Sequence, residues 1–283
     1  MLETRTFAAP AVIASLATAF LTLSCPASSR AFDSAADPAY DSGWSAGSDG
    51  GFGWGGGWQF ISSGSGSHFV GSSATNGSGD PDHDGDINTP YSPSGRAWGV
   101  TAAPGGGADT YGAVRPFAGA LGIGQTVRAD FDPGTVAPGG VAVLSLASAE
   151  GVSQFRLEAE AGATNYLLSD GPGGNTHRDT GVPLADQGMH VEMLLTGQAS
   201  YSLSLTPLEA VGATATVAGQ LISPGVPTDR LVFVSHLGGD DPAHAAFLNS
   251  IAVVPEPAST SLVLLPSALV LSRRVRRTRN SHH

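Results

Sequence analysis

Lysine is missing from all 283 residues: the 13 basic positions are arginines, set against 24 acidic ones for a formal charge of −11. So few cations exclude a nucleic-acid binder that works by neutralising phosphates. Cysteine is nearly missing too, and a lone Cys25 excludes a disulfide scaffold. Charged residues make up 13% of the chain, about half of the ~25% usual in soluble domains. Leucine, glutamate and lysine do not dominate, which excludes helix bundles and coiled coils. What abounds is glycine and proline, 39 and 19 residues. Together they stay below the ~25–30% that would argue for wholesale disorder. The length suits one large all-β domain or two small ones.

The two ends read as sorting signals. Residues 8–24 form an apolar run behind Arg5, and Ser29-Arg30-Ala31 puts small side chains at the two positions a signal peptidase reads. Residues 1–31 are therefore expected to be a secretory signal peptide cut after Ala31, with a retained N-terminal membrane helix as the alternative. Cleavage there removes Cys25 and leaves a mature chain without thiols, which suits export. At the other end Val254-Pro255-Glu256-Pro257 precedes an apolar stretch, 258–272, and a tail, 273–283, carrying Arg273, Arg274, Arg276, Arg277 and Arg279. As a helix, 258–272 spans roughly 22 Å, short of the ~30 Å hydrocarbon core. The arginines would hold the tail on the cytoplasmic side and leave the globular part outside.

This ending resembles the PEP-CTERM sorting signal: the Pro-Glu-Pro motif at 254–257, a short hydrophobic helix at 258–272 and an arginine-rich end. The resemblance implies processing by a membrane-embedded exosortase, a membrane anchor through the helix, and a cell-envelope setting rich in exopolysaccharide. Pro266 within the helix departs from the usual pattern.

Between the signals lie 22 acidic residues and six arginines, a balance of −16 over 32–254. Such a surface repels anionic polymers and lipid heads. Periodicity is strand-like throughout: 154–159, 190–193 and 201–206 alternate apolar with polar residues. Runs of strand composition recur at 58–62, 97–101, 126–131, 141–146, 214–218, 231–235 and 247–253, bounded by turn signals such as Asp132-Pro133-Gly134. Residues 241–247 have room for one helical turn. About ten short strands predict a single β-sandwich over 58–253. The glycine-rich lead-in at 32–57 holds Trp44, Phe52 and Trp54 and is expected to pack on the sandwich. The body is also similar to a jelly-roll module of exported PEP-CTERM proteins, through 41–58, Gly71-Ser72-Ser73, 95–99, 115–121 with Gly124-Gln125-Thr126, and 246–250. Concanavalin- and laminin-G-like sandwiches are its analogues in fold alone.

Four sets of residues could carry chemistry. Asp80, Asp82, Asp84 and Asp86, with Gly85, form the front half of an EF-hand-like loop for calcium. Tyr91 stands where the loop's closing glutamate belongs, so the alternative is a solvated acidic loop. Trp44, Trp54, Trp58 and Trp98 offer flat faces to sugars, against the commoner fate of core packing. Glu158 and Glu160 lie two apart on a strand and share a face. They resemble, faintly, the carboxylates of concanavalin-like retaining glycosidases, but Glu160 takes the place of an aspartate and Ala163 that of the second glutamate. Solvent-facing glutamates are the expectation. Gly43-Trp44-Ser45-Ala46-Gly47 fits the nucleophile-elbow pattern but lacks its strand and helix. The eight histidines show no metal-ligand spacing.

The expected function is thus a non-enzymatic, exported cell-surface or matrix protein. A calcium-assisted carbohydrate binder is the first alternative and a glycan hydrolase built on Glu158 and Glu160 the second.

Overall fold

Alternation fixes which face of each strand is buried. Along Met189–Leu195 the residues Met189, Val191, Met193 and Leu195 are buried while His190, Glu192 and Leu194 are half-exposed. Ser200–Pro207 repeats the pattern with Tyr201, Leu203 and Leu205 inward. A side-chain period of two with one apolar face builds a sheet that must bury that face against a second layer.

The computed structural model describes residues 30–73, 87, 96–104, 109–174, 176–184, 188–208 and 214–255. These residues form two antiparallel sheets, their strands numbered in chain order. One sheet runs β13 (Ala215–Gln220), β12 (Ser200–Pro207), β11 (Met189–Leu195), β6 (Gln125–Asp132), β15 (Ala246–Pro255), β4 (Arg96–Ala102) and β3 (Gly66–Ser72), and β1 (Ala31–Asp33) also pairs with β15. The other runs β10 (Thr176–Pro183), β9 (Asn165–Asp170), β8 (Ser153–Glu160), β7 (Val141–Ala147), β14 (Arg230–His236), β5 (Thr110–Pro116) and β2 (Gln59–Ser63). Strands β14 and β15 each slot between two earlier strands, so the last part of the chain locks both sheets. Among the described residues the helical segments are two 3-10 turns, and Pro242–His244 falls where the sequence leaves room for one turn. No helix among them is long and apolar enough to cross a membrane. Residues 1–29, 256–257, 258–272 and the tail arginines lie outside the described residues.

The sheets meet over a continuous apolar core. Phe131 and Phe233 cross from one layer to the other edge to face at 6.1 Å, and Phe155 meets Tyr201 the same way at 5.2 Å. Such pairs contribute about 0.5–1.5 kcal/mol each beyond their buried area.

The lead-in is held by buried charge. Arg115 on β5 and Asp33 on β1 are both fully buried and form an ion pair at 3.1 Å. Arg115 also donates to Asp49 and to the carbonyls of Gly50 and Gly56 at 2.8–2.9 Å, while Trp54 and Trp58 flank its guanidinium. Tyr40 donates to Asp33 at 2.6 Å and accepts from the Trp58 indole at 3.1 Å. Glycine is required at 51 and 53, which flank the Phe32–Phe52 bridge with positive φ: a Cβ at either would strike the carbonyl of Phe32 or of Arg30. At a bulge in β15, Asn249 accepts from Ala35 N–H at 2.9 Å and donates to the Arg96 carbonyl at 2.9 Å, tying the lead-in to β4.

Both ends of the described chain leave together. Arg30 N–H donates to the Val253 carbonyl at 2.7 Å, and Ala31 pairs with Val253. Strand β1 thus takes in Ala31, the residue after which cleavage is expected, and buries it. Val254 and Pro255 close β15 opposite Thr126 and Gln125, so the ladder runs two residues past the boundary read at 253.

Burial pushes the Asp33 carboxyl up to about 6, against the opposing pull of Tyr40 and Arg115. The folded state therefore binds this proton more tightly than the unfolded state does. The resulting stability is full below about pH 4 and declines through about pH 6, by on the order of 2–4 kcal/mol. Asp33→Asn removes this titration. The melting temperature of the variant relative to the parent should rise from about pH 4 to 6 and level off above about pH 7. A constant difference across the whole range would exclude the assignment.

Candidate functional site

Three of the four tryptophans offered as sugar platforms are core. Trp44, Trp58 and Trp98 are buried against one another, with ring centroids 5.1 Å apart for Trp44–Trp58 and 5.0 Å for Trp58–Trp98. Trp54 stacks on Phe117 and borders Arg115. The sugar-platform reading of the first three is corrected for want of a free face. Asp80, Asp82, Asp84 and Asp86 lie outside the described residues, as do Glu256 and Pro257 of the sorting motif.

The glutamates on β8 behave differently from the expectation. Phe155, Leu157 and Ala159 point into the core, which turns Arg156, Glu158 and Glu160 to the outer face of the sheet. An outer face predicts solvated carboxylates, yet the Glu158 side chain is only 5% exposed. Neighbours on three strands cover it. Arg156 Nε lies 2.8 Å from one carboxylate oxygen, and Ser169 on β9 donates to the other at 3.1 Å. His177 on β10 reaches over the small Ser169, its Nε2 3.6 Å from Glu158 and its Nδ1 3.1 Å from Glu160. The expectation of two solvent-facing glutamates is corrected for Glu158, because cross-strand neighbours bury it.

Glu158, Glu160 and His177 each offer one ligand atom, and these atoms lie within 4.8 Å of one another. Two carboxylates and an imidazole could hold a divalent cation, and the imidazole suits zinc better than calcium. Glu160 also borders a cleft of about 360 Å³ at the end of the sandwich, walled by Pro133–Val136 and the turn at 161–163. That volume is at the small end of ligand sites. Sequence reasoning misses His177 because β10 lacks apolar alternation, and misses Arg156 and Ser169 because neither stands in a motif.

A second polar cluster sits on the outer face of the other sheet. His190 Nδ1 lies 2.7 Å from the buried Asp130, and Arg128 pairs with Glu192 at 2.6 Å. The bond to Asp130 raises the His190 pKa, with burial opposing it. The elbow-like Ser45 bonds to Ser48 through both its N–H and its hydroxyl, and it stands between turns rather than at the strand-to-helix junction that the elbow pattern needs.

No protein-family model matches the chain, and no curated protein matches it. Solved structures do resemble it. A legume lectin-like domain from Entamoeba histolytica aligns at 9% identity and TM-score 0.38, over 56% of this chain and 84% of its own. A beta-1,3-glucanase from Mycobacterium marinum aligns at 18% and 0.36, over 55% and 73%. An apo transglycosylase aligns at 17% and 0.37, over 57% and 72%. The expectation of a non-enzymatic protein is corrected here. The sandwich carries a buried, clamped glutamate beside a second carboxylate, where that reading expects two solvated side chains.

Proposed function

We propose that the sandwich acts on glycans through Glu158 and Glu160, in an exported protein sorted by its PEP-CTERM-like end. The observation that carries the reading is the clamping of Glu158 by Arg156 and Ser169, with the Glu160 carboxylate close by on the same face. Their reach, within 4.8 Å, suits the ~5–5.5 Å separation of a retaining pair better than the ~6.5–9.5 Å of an inverting one. In this reading Glu158 attacks the anomeric carbon as the glycosidic C–O bond breaks. Glu160, beside the cleft, gives its proton to the leaving oxygen; a water or sugar hydroxyl then attacks the same carbon, breaking its bond to Glu158 and returning a proton to Glu160. His177 positions both carboxylates. The acidic exterior favours neutral over anionic glycans.

The test is turnover of a panel of neutral β-glucans by the full chain, followed by proton NMR of the first-formed anomer. Retention at the new bond is expected. Absence of turnover across the panel, or inversion, overturns the reading. His177 bridging the two glutamates favours a second reading, a cation-dependent glycan binder. Titration calorimetry with zinc, on the parent and on His177→Ala, separates the two: zinc heat lost in the variant, without turnover in the parent, supports the binder.

A further inference from the structure

The two ends of the sandwich differ in character. One end carries the loops 117–124, 148–152 and 221–229 and both exits of the described chain, at Arg30 and Pro255. Ile123, Phe52 and Val152 lie there, exposed by 61%, 55% and 40%, and are three of the four exposed large hydrophobics among the described residues. A groove of about 520 Å³ opens between the same loops, walled by Leu121, Ile123, Leu195, Leu221 and Val226. Water-facing apolar groups gathered at one end of a domain mark an interaction surface.

The chain itself indicates what covers this end. Strand β15 stops at Pro255, paired with Gln125 two positions from Ile123. Only Glu256 and Pro257 separate Pro255 from the apolar stretch 258–272. Three Cα–Cα steps reach at most about 11 Å. Wherever residue 258 enters an apolar phase, the sandwich end must follow to within that distance. We propose that this end rests on a lipid bilayer, with Ile123, Val152 and Phe52 as its apolar contacts. Glu150 and Arg230 share the end and would sit at headgroup level. The net acidity of the domain favours a zwitterionic surface.

The placement also orients the candidate site, although it does not rest on the glycan reading. Strand β8 starts at Ser153, beside the proposed contact, and ends at Glu160. Its eight residues lift Glu160 roughly 25 Å along the strand. The cleft then opens away from the bilayer.

The test uses the full chain in phosphatidylcholine vesicles doped with a headgroup-nitroxide lipid. In a Cys25→Ser background, Ile123→Cys carries a fluorescent label, and Thr164→Cys, in the turn at the far end, carries the same label in a second preparation. Both positions are exposed, and circular dichroism melting confirms folding. Quenching at least threefold greater at 123 than at 164 is expected. Equal quenching, quenching at 164 alone, or no vesicle association overturns the proposal. So does a chain that sediments with vesicles while the label at 123 stays unquenched, since the tail then tethers a domain that stands off. None of these outcomes depends on turnover, so the glycan reading stands or falls separately.

Discussion

Arg115→Met should lower the melting temperature of the folded domain by roughly 6–20 °C, through the loss of a buried ion pair. The side chain is fully buried, and its removal strands Asp33, itself fully buried, without its cation. Breaking a buried pair from one side costs about 3–5 kcal/mol, and each kcal/mol moves a domain of this size by about 2–4 °C. The carbonyls of Gly50 and Gly56 lose their donor, and the Trp54 and Trp58 rings lose the guanidinium between them. Methionine fills much of the space but satisfies none of these acceptors. Adding Asp33→Asn should recover part of the loss, because a neutral amide no longer needs a cation. A melting temperature within about 2 °C of the parent in the single variant, less than 1 kcal/mol, would show that the lead-in is not held by this network.

The sequence reveals strands wherever one face is wet and the other dry. Met189–Leu195 and Ser200–Pro207 can be read directly from their alternation, and most of the observed strands fall on segments of strand composition. Strands β1, β3, β5, β9 and β10 do not. Thr110–Pro116 holds Gly112 and ends in proline, and Thr176–Pro183 has a single large apolar residue, Val182. Central position, rather than propensity, makes β5 a strand: it is paired on both edges, by β14 and by β2. The same limit governs the candidate site. Period two places Glu158 on the outer face, but its burial depends on Ser169 and His177 from two other strands, and register is not written in any one strand. The tryptophans show the opposite case, where residue type suggests both fates and packing alone decides.

Glu158→Gln should separate function from stability. Turnover of a responsive glucan should fall by about 10²–10⁴, the usual contribution of a positioned acid, base or nucleophile. Stability should change by no more than about 1 kcal/mol, or some 2–4 °C. Glutamine keeps an acceptor for the Ser169 hydroxyl and matches the carboxylate in volume. What it gives up is the pair with Arg156, whose side chain is 36% exposed and can turn to water. This is the reverse of Arg115, whose partner Asp33 has no solvent to turn to. A residue retained for packing would lose stability on substitution and leave turnover intact. One retained for chemistry at a desolvation cost would do the opposite. Melting and turnover measured on the same preparation distinguish the two. A fall in melting temperature of about 10 °C, some 3–5 kcal/mol, with unchanged turnover would assign Glu158 to the scaffold.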